Sequence, residues 1–322
     1  MDSKRAQGRF YTLGNPFVLE PFKRWAKQAS ISQTCILEPF AGANNIIHTL
    51  VDLGLCREFI SYDIKPNDEK VDRRNTIDCF PKGYDVCITN PPWLARNSAT
   101  RRGLPYPETK HDDLYKHCLE LCLNNCKHVA VLIPASYLQS GLFRKRLSSY
   151  ILLHDTIFVD TENPVCLALF NAETSDDVSV YYGNKPIGML NALEEQLPKP
   201  KMDRRVRFND PNGELGFISF DNIKEPSIRF CSADDIKDYQ IKHSSRFITR
   251  ISGDFGENLS VLIEKLNDAI ESFRRNTEDI FLTPFKGIRE DGRYRRRMDF
   301  NLARRFINST ANEVSSLQKE LF

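Results

Sequence analysis

The chain has 322 residues, 41% of them hydrophobic and 27% charged, with a formal net charge of +2. That composition builds packed cores and suits about two domains of roughly 150 residues each. It excludes wholesale disorder, and no run of about 18 apolar residues exists to cross a bilayer.

Met1-Asp2-Ser3-Lys4-Arg5 lacks the apolar stretch of a secretory signal, and the nine cysteines are odd in number and scattered. Reduced thiols, a cytoplasmic location and no membrane partner are therefore expected. In chain order, Cys35-Ile36-Leu37 reads as a buried strand. A helical pattern follows it, with Ile46, Ile47, Leu50, Val51 and Leu53. Strands are expected at Phe59-Ile60-Ser61-Tyr62, Val86-Cys87-Ile88-Thr89 and Val129-Ala130-Val131-Leu132-Ile133, with a helix from Leu114 to Cys126. Thr156-Ile157-Phe158-Val159, Cys166 to Phe170 and Val178 to Tyr182 complete the series. Strands alternating with helices imply βαβ units, hence an α/β fold with a Rossmann-like, doubly wound, mostly parallel sheet. Beyond Gly183-Asn184 the texture changes. Leu197-Pro198-Lys199-Pro200-Lys201 reads as a linker, Val206 to Phe220 as a hairpin around Asp210-Pro211-Asn212-Gly213, and residues 257–274 as an amphipathic helix. The expectation is a first domain over 1–184 and a smaller α+β domain over 185–322.

Ligands of doubly wound sheets sit at the carboxyl ends of the strands, where Glu38, Asp63 and Asn90 fall. Asn90-Pro91-Pro92-Trp93 leaves an apolar strand as a rigid turn. The Asn90 side-chain oxygen and the Pro91 carbonyl can accept both hydrogens of one planar amino group, and Trp93 offers a face for its ring. Taken alone, the same four residues are also a turn with a buried Trp. Glu38-Pro39-Phe40-Ala41-Gly42 occupies a strand-to-helix turn, where a helix N-terminus can meet a carboxylate. Its single glycine disfavours a phosphate-bridged cofactor. Asp63 is placed to accept from ribose hydroxyls. Asp78, with Cys79 and Phe80, is read as capping and sandwiching an adenine. A helix cap and a turn are the plain alternatives for the two acids. Phe170 is a candidate second aromatic wall, with a core phenylalanine as the alternative.

Leu37 to Gly42, Tyr62-Asp63-Ile64 and Asn90-Pro91-Pro92-Trp93 resemble, in order, motifs of S-adenosylmethionine-dependent amino-methyltransferases. Phe10-Tyr11-Thr12 resembles the motif that precedes the first strand and touches the cofactor. Asp113-Leu114-Tyr115, Val131 to Pro134, Ser136, Leu138 and Arg144 to Arg146 are similar to later motifs. Cofactor motif, then catalytic motif, then target-recognition region is the order of γ-class DNA adenine-N6 methyltransferases. The resemblance covers about residues 9–183, with Ala43-Asn44 replacing a second glycine and Leu13 replacing a proline. It implies S-adenosylmethionine as cofactor, no metal, duplex DNA as substrate with base flipping, and a monomer. It also implies a restriction–modification setting with a companion endonuclease on the same site. The implied cofactor residues are Phe10, Tyr11, Thr12, Glu38, Pro39, Phe40, Ala41, Gly42, Asp63 and Ile64, to which the strand-end reading adds Asp78, Cys79 and Phe80; the implied catalytic residues are Asn90, Pro91, Pro92 and Trp93.

Between Lys286 and Arg305 eight Lys and Arg stand against Glu290, Asp291 and Asp299, and Lys199 to Arg207 holds five cations against Asp203. Such clusters bind phosphates, though a solvated surface is the plainer reading. Arg204, Arg205, Arg289, Arg293, Arg295, Arg296 and Arg297 are the candidates here. Arg96, Arg101 and Arg102 join them from Ala95–His111, a segment expected to be a mobile loop closing over the DNA. Cys118, Cys122 and Cys126 read as core packing rather than a zinc site. The same chemistry on cytosine N4, an RNA adenine or a protein glutamine is the nearest rival, and a non-catalytic nucleic-acid-binding protein the next.

Overall fold

The computed structural model describes residues 15–153, 163–201, 203–255 and 258–319, the last nine of these by backbone alone. The expected Phe10-Tyr11-Thr12 motif and the Thr156–Val159 strand lie outside the described residues. The chain divides into two compact units, Met1–Leu190 and Asn191–Phe322.

The first unit opens with a turn of 3-10 helix at Pro16–Val18 and helix α1 (Glu20–Gln28). There follow β1 (Ile36–Glu38), α2 (Asn45–Asp52), β2 (Phe59–Asp63), β3 (Val71–Arg73), β4 (Val86–Thr89), α3 (Arg96–Arg102) and α4 (Leu114–Asn125). Then come β5 (His128–Pro134), β6 (Leu147–Leu152), β7 (Val165–Phe170), β8 (Ser179–Tyr182) and β9 (Lys185–Met189). They form one sheet in the order β3-β2-β1-β4-β5-β7-β6-β8-β9. β3, β2, β1, β4 and β5 run parallel, and β7 is antiparallel to both its neighbours. This is the expected α/β, doubly wound, mostly parallel sheet. The chain enters at β1, winds outward to β3, then crosses back to β4 and β5, so the winding reverses between β1 and β4. β1, β4 and β7 are buried along their whole length, as strands covered on both faces must be.

Three sequence expectations change. β3 was not anticipated, being only three residues long with two of them exposed. A split after residue 184 would sever β9, which pairs with β8 from Ser179↔Met189 to Tyr182↔Lys185. Ala95–His111 is not structureless: it contains α3, with Ala99 fully buried. The Arg96 guanidinium closes the segment by donating to the carbonyls of Thr109 and His111, and lies 4.9 Å from the Tyr106 ring centroid.

The second unit begins within the short helix α5 (Leu190–Glu194). Strands β10 (Arg207–Phe208), β11 (Leu215–Ile218), β12 (Arg229–Ser232) and β13 (Ile248–Ser252) form an antiparallel sheet in the order β10-β13-β11-β12. The hairpin expected around Asp210–Gly213 is absent, because β13 inserts between β10 and β11. The turn instead crosses the β13 backbone. A Cβ on Gly213 would lie 2.5 Å from the Ile251 carbonyl carbon, so only glycine fits that crossing. Helix α6 (Leu259–Thr277), hairpin strands β14 (Thr283–Ile288) and β15 (Tyr294–Arg297), and helix α7 (Phe300–Lys319) complete the unit. Leu262, Leu266, Ile270 and Phe273 of α6 pack with Phe217, Phe230 and Phe306 in one core. The supposed linker is part of this unit, since the Pro198 carbonyl accepts from Arg305 at 3.0 Å.

Candidate functional site

β1 and β4 are neighbours, with Leu37 opposite Cys87, so Glu38 and the Asn90-Pro91-Pro92-Trp93 turn leave the same edge of the sheet on adjacent strands. Asp63 ends β2 on the other side of β1. The loops after these strands are stitched together. Phe40 and Ile77 pack against the small core of Leu94, Ala99, Leu114 and Cys118. The Thr76 hydroxyl donates to the Pro39 carbonyl at 2.7 Å. Apolar side chains spaced far apart in sequence thus fix the separation of the polar ones.

Glu38 is 1% exposed, and its Oε2 has no hydrogen-bond partner among the described residues. Burial pushes its carboxyl well above the usual carboxylate range; a backbone hydrogen bond from Ile47 offsets part of this, and the nearby Asp63 charge adds to it. Ile47 lies in the first turn of α2. The helix N-terminus expected to receive a ligand carboxylate therefore already meets the carboxyl of Glu38. The unpartnered oxygen is the open valence of the site.

Asp63 locks the glycine turn. Its Oδ2 accepts from the Gly42 N–H at 2.9 Å and its Oδ1 from the Lys65 N–H at 2.7 Å. Ile64 beside it is 49% exposed. Gly42 (φ +54°) and Asn44 (φ +59°) both take left-handed backbone. Asparagine tolerates that region, which explains how it stands where the resembling family has glycine. The Asn44 Oδ1 also accepts from the buried Ser61 hydroxyl at 2.8 Å. Asp78 and Cys79 are exposed while Phe80 is buried, and Asp78 accepts from the Asn75 amide at 2.6 Å.

Asn90 is half-buried, Pro91 is buried and Trp93 is 8% exposed. The turn is held at its exit by the start of α4. Leu114 N–H donates to the Leu94 carbonyl at 2.9 Å, Arg96 N–H to the Asp112 carbonyl at 2.8 Å, and Ala95 bridges Asp113. Burial raises the Asp113 carboxyl to about 6, against backbone hydrogen bonds from Tyr115 and Leu94 that lower it. Sequence reading matched Asp113 to a later motif without seeing that it anchors the Asn90–Trp93 turn. Phe170 is fully buried, and its carbonyl accepts from the Trp25 indole at 3.2 Å, so it is a core residue and no wall of this site.

The basic candidates separate sharply. Arg289 and Arg296 are each only 4% exposed, which corrects the expectation that they contact DNA. Arg289 pairs with Asp221 at 2.6 Å and Asp291 at 2.7 Å, and Arg296 reaches the Leu282 carbonyl. Arg293 pairs with Glu278 at 2.8 Å, and Arg204 donates to the Asp254 carbonyl. Arg96 is tied into its own segment, as described. Arg101, Arg102 and Arg205 are exposed, while Arg295 and Arg297 are partly so. Cys118, Cys122 and Cys126 are buried in the core. Among the described residues no group of three or more His, Cys, Asp or Glu is arranged to hold a metal.

No family model and no curated protein matches this sequence. Similar solved structures include the methyltransferase subunit of a type I restriction–modification system from Streptococcus thermophilus, at 16% identity over 54% of this chain and 47% of that one, with a TM-score of 0.37. The type IIL restriction–modification enzyme MmeI in complex with DNA is similar at 12% identity over 58% of this chain and 41% of that one, TM-score 0.36. Against the first restriction–modification structures it resembles, the chain spans about half their length, 47% and 50%. At this level of likeness the fold rests on the strand order itself.

Proposed function

We propose that the chain is an S-adenosylmethionine-dependent methyltransferase acting on the exocyclic N6 amino group of adenine in duplex DNA. One observation carries the reading. A buried carboxyl oxygen with no partner among the described residues, on Glu38, stands on the strand next to the one that leads into Asn90-Pro91, with Asp63 on its other side. Two acids beside an amide–proline turn suit one cofactor: an amino-acid ammonium for Glu38, ribose hydroxyls for Asp63, and a reaction centre near Asn90. The residues present therefore fit the group. When bound, it supplies an electrophilic methyl on a sulfonium.

The remaining chemistry belongs to the chain. An adenine amino nitrogen is a poor nucleophile because its lone pair delocalises into the ring. The Asn90 side-chain oxygen and the Pro91 carbonyl accept its two hydrogens, which draws the nitrogen toward tetrahedral geometry and frees the lone pair. Proline suits this place because it brings no competing N–H, and Pro92 after it restricts the Pro91 ψ and so the direction of its carbonyl. Most of the rate gain is then orientation and charge stabilisation in a fixed frame. The frame is the anchorage of Leu94, Ala95 and Arg96 on α4. An adenine within a duplex must be rotated out of the stack to reach this edge. A restriction–modification role, with a companion endonuclease cutting unmethylated sites, extends the same reading.

The test is transfer of labelled methyl to duplex DNA followed by identification of the base. N6-methyladenine is expected; label appearing only in RNA, protein or cytosine would replace the substrate named here. Asn90→Ala should lower turnover at least about 100-fold, the usual scale for losing such a polar contact to the transition state. DNA and cofactor binding should be largely retained, and undiminished turnover would remove Asn90 from its role.

A further inference from the structure

In the second unit, outward and inward residues alternate along β15. Tyr294 and Arg296 are buried, whereas Arg295 and Arg297 face outward. Arg295 stands opposite Phe285 of β14 and beside Phe220, which bridges Arg297. Its guanidinium carbon lies 5.0 Å from the Phe285 ring centroid and 5.5 Å from that of Phe220. The two rings are 6.5 Å apart and tilted by 58°, so Arg295 rests in the corner they form. Phe247 closes the cluster at 5.3 Å from Phe220 and 5.9 Å from Phe285. The Arg295 Nε donates to the Asp221 carbonyl at 2.8 Å. That contact leaves the outer pair of nitrogens as a fixed fork. Together with Tyr239, which is 53% exposed, these residues line an open concavity of about 400 Å³. A second concavity of about 280 Å³ lies alongside, bounded by Arg246, Arg297 and Asp299. Asp299 is occupied as the cap of α7, accepting from the Leu302 N–H at 2.8 Å.

The two concavities suit different ligands. A phosphate would gain charge from Arg295 but lose its water against a floor of phenyl carbons. A planar, neutral edge with two adjacent acceptors pays no such penalty and matches the fork. In duplex DNA that edge is the O6 and N7 of guanine in the major groove, flanked by the apolar surface of neighbouring bases. Arg246 and Arg297, in the more polar neighbour, are suited to the adjoining phosphates. We propose that Arg295 is a specificity-determining residue that reads one guanine of the recognition sequence, held for that purpose by Phe220 and Phe285. This rests on the DNA reading given above.

The experiment selects preferred sequences from a pool of random duplexes with the full chain and with Arg295→Lys, Arg295→Ala and Arg297→Ala, after melting curves establish that each variant is folded. The wild-type chain should show one position at which guanine is preferred about tenfold or more. Both Arg295 variants should lose that preference, the lysine variant included, because charge without the fork does not read the base. Arg297→Ala should weaken all sequences alike and reduce the salt slope by about one. As a probe on the DNA side, 7-deazaguanine at that position should weaken wild-type binding severalfold and leave Arg295→Ala unaffected. Retained guanine preference in both Arg295 variants, or a wild-type chain without a guanine-dependent position, overturns the inference. Failure of the wild-type chain to bind any duplex would instead overturn the DNA reading on which it stands.

Discussion

Glu38 in the larger unit and Asp221 in the smaller are both buried, at 1% and 0% exposure, yet their surroundings treat them oppositely. Asp221 is saturated. Its Oδ1 takes Arg274 at 2.7 Å and the Ser227 N–H at 2.8 Å; its Oδ2 takes Arg289 at 2.6 Å and the Arg296 N–H at 3.1 Å. Burial alone would push its carboxyl up, but the hydrogen bonds and charge of Arg274, with Arg289 behind them, carry it below the usual range. Glu38 has one oxygen with no partner among the described residues, and burial leaves its carboxyl raised. A buried charge with all its partners is an internal brace of the fold. A buried carboxyl with an oxygen unpartnered among the described residues is a cost that a ligand can relieve. The contrast also explains why the chain's most basic stretch is less basic to an approaching partner than its sequence suggests. Arg289 and, across the core, Arg274 are consumed in neutralising Asp221, and Arg289 in neutralising Asp291.

The contrast can be broken most forcefully at the brace. Asp221→Ala takes away the buried carboxylate that Arg274 and Arg289 share, leaving them Asp279 and Asp291, and should cost about 3–5 kcal/mol of stability in denaturant unfolding of the second unit. A cost below about 1 kcal/mol would mean the network is not holding the fold. The depressed carboxyl of Asp221 sets the sign of the acid dependence. Its stabilisation is present above the unfolded value near 4 and is lost as pH falls through the lower folded value.

Asp113 has the opposite sign. Its carboxyl, raised to about 6 by burial, makes the folded state the tighter proton binder. Stability contributed by this group is full below pH ~4 and declines as pH rises to about 6. Asp113→Asn keeps an N-cap side chain and removes the titration, so it should gain ~2–3 kcal/mol at pH 7 and flatten that window. An unchanged pH profile in urea unfolding would show that Asp113 does not titrate as placed.

Glu38→Gln should raise the stability of the ligand-free chain by about 1–2 kcal/mol, because an uncompensated buried carboxyl is replaced by a neutral amide. Cofactor affinity should fall at least about tenfold at the same time, the trade expected where a site keeps an unsatisfied group for its ligand. Calorimetry with S-adenosylmethionine, alongside melting curves, reads both. A variant that loses stability and keeps affinity would make Glu38 a brace like Asp221.

The strands of the larger unit were readable because continuous apolar runs such as Val129 to Ile133 and Cys166 to Phe170 have little alternative to a sheet buried on both faces. The turns after them were readable because glycine, proline and asparagine have few permitted backbone conformations. The Leu147–Leu152 strand was missed, since Ser148 and Ser149 interrupt its apolar pattern and it gains its place only by pairing with β7 and β8. The β10–β11 hairpin was misread for a related reason: a tight turn fixes local direction, but which strand lies alongside is decided by a segment some forty residues later. In the site, the residue types at Glu38, Asp63 and Asn90 were legible. Their hydrogen bonds were not.

By itself, the order of residues determined the α/β class of the first unit, the positions of its polar strand ends and the chemistry those residue types permit, because these depend on local periodicity and side-chain identity. Tertiary structure alone decided which charges face outward. Arg295 and Arg296 are adjacent and identical in sequence, yet one lies across phenyl rings at the surface and the other is sealed in the core. Nothing in the chain distinguishes them until β15 pairs with β14 and one face of that hairpin is buried, since a strand sends successive side chains to opposite sides.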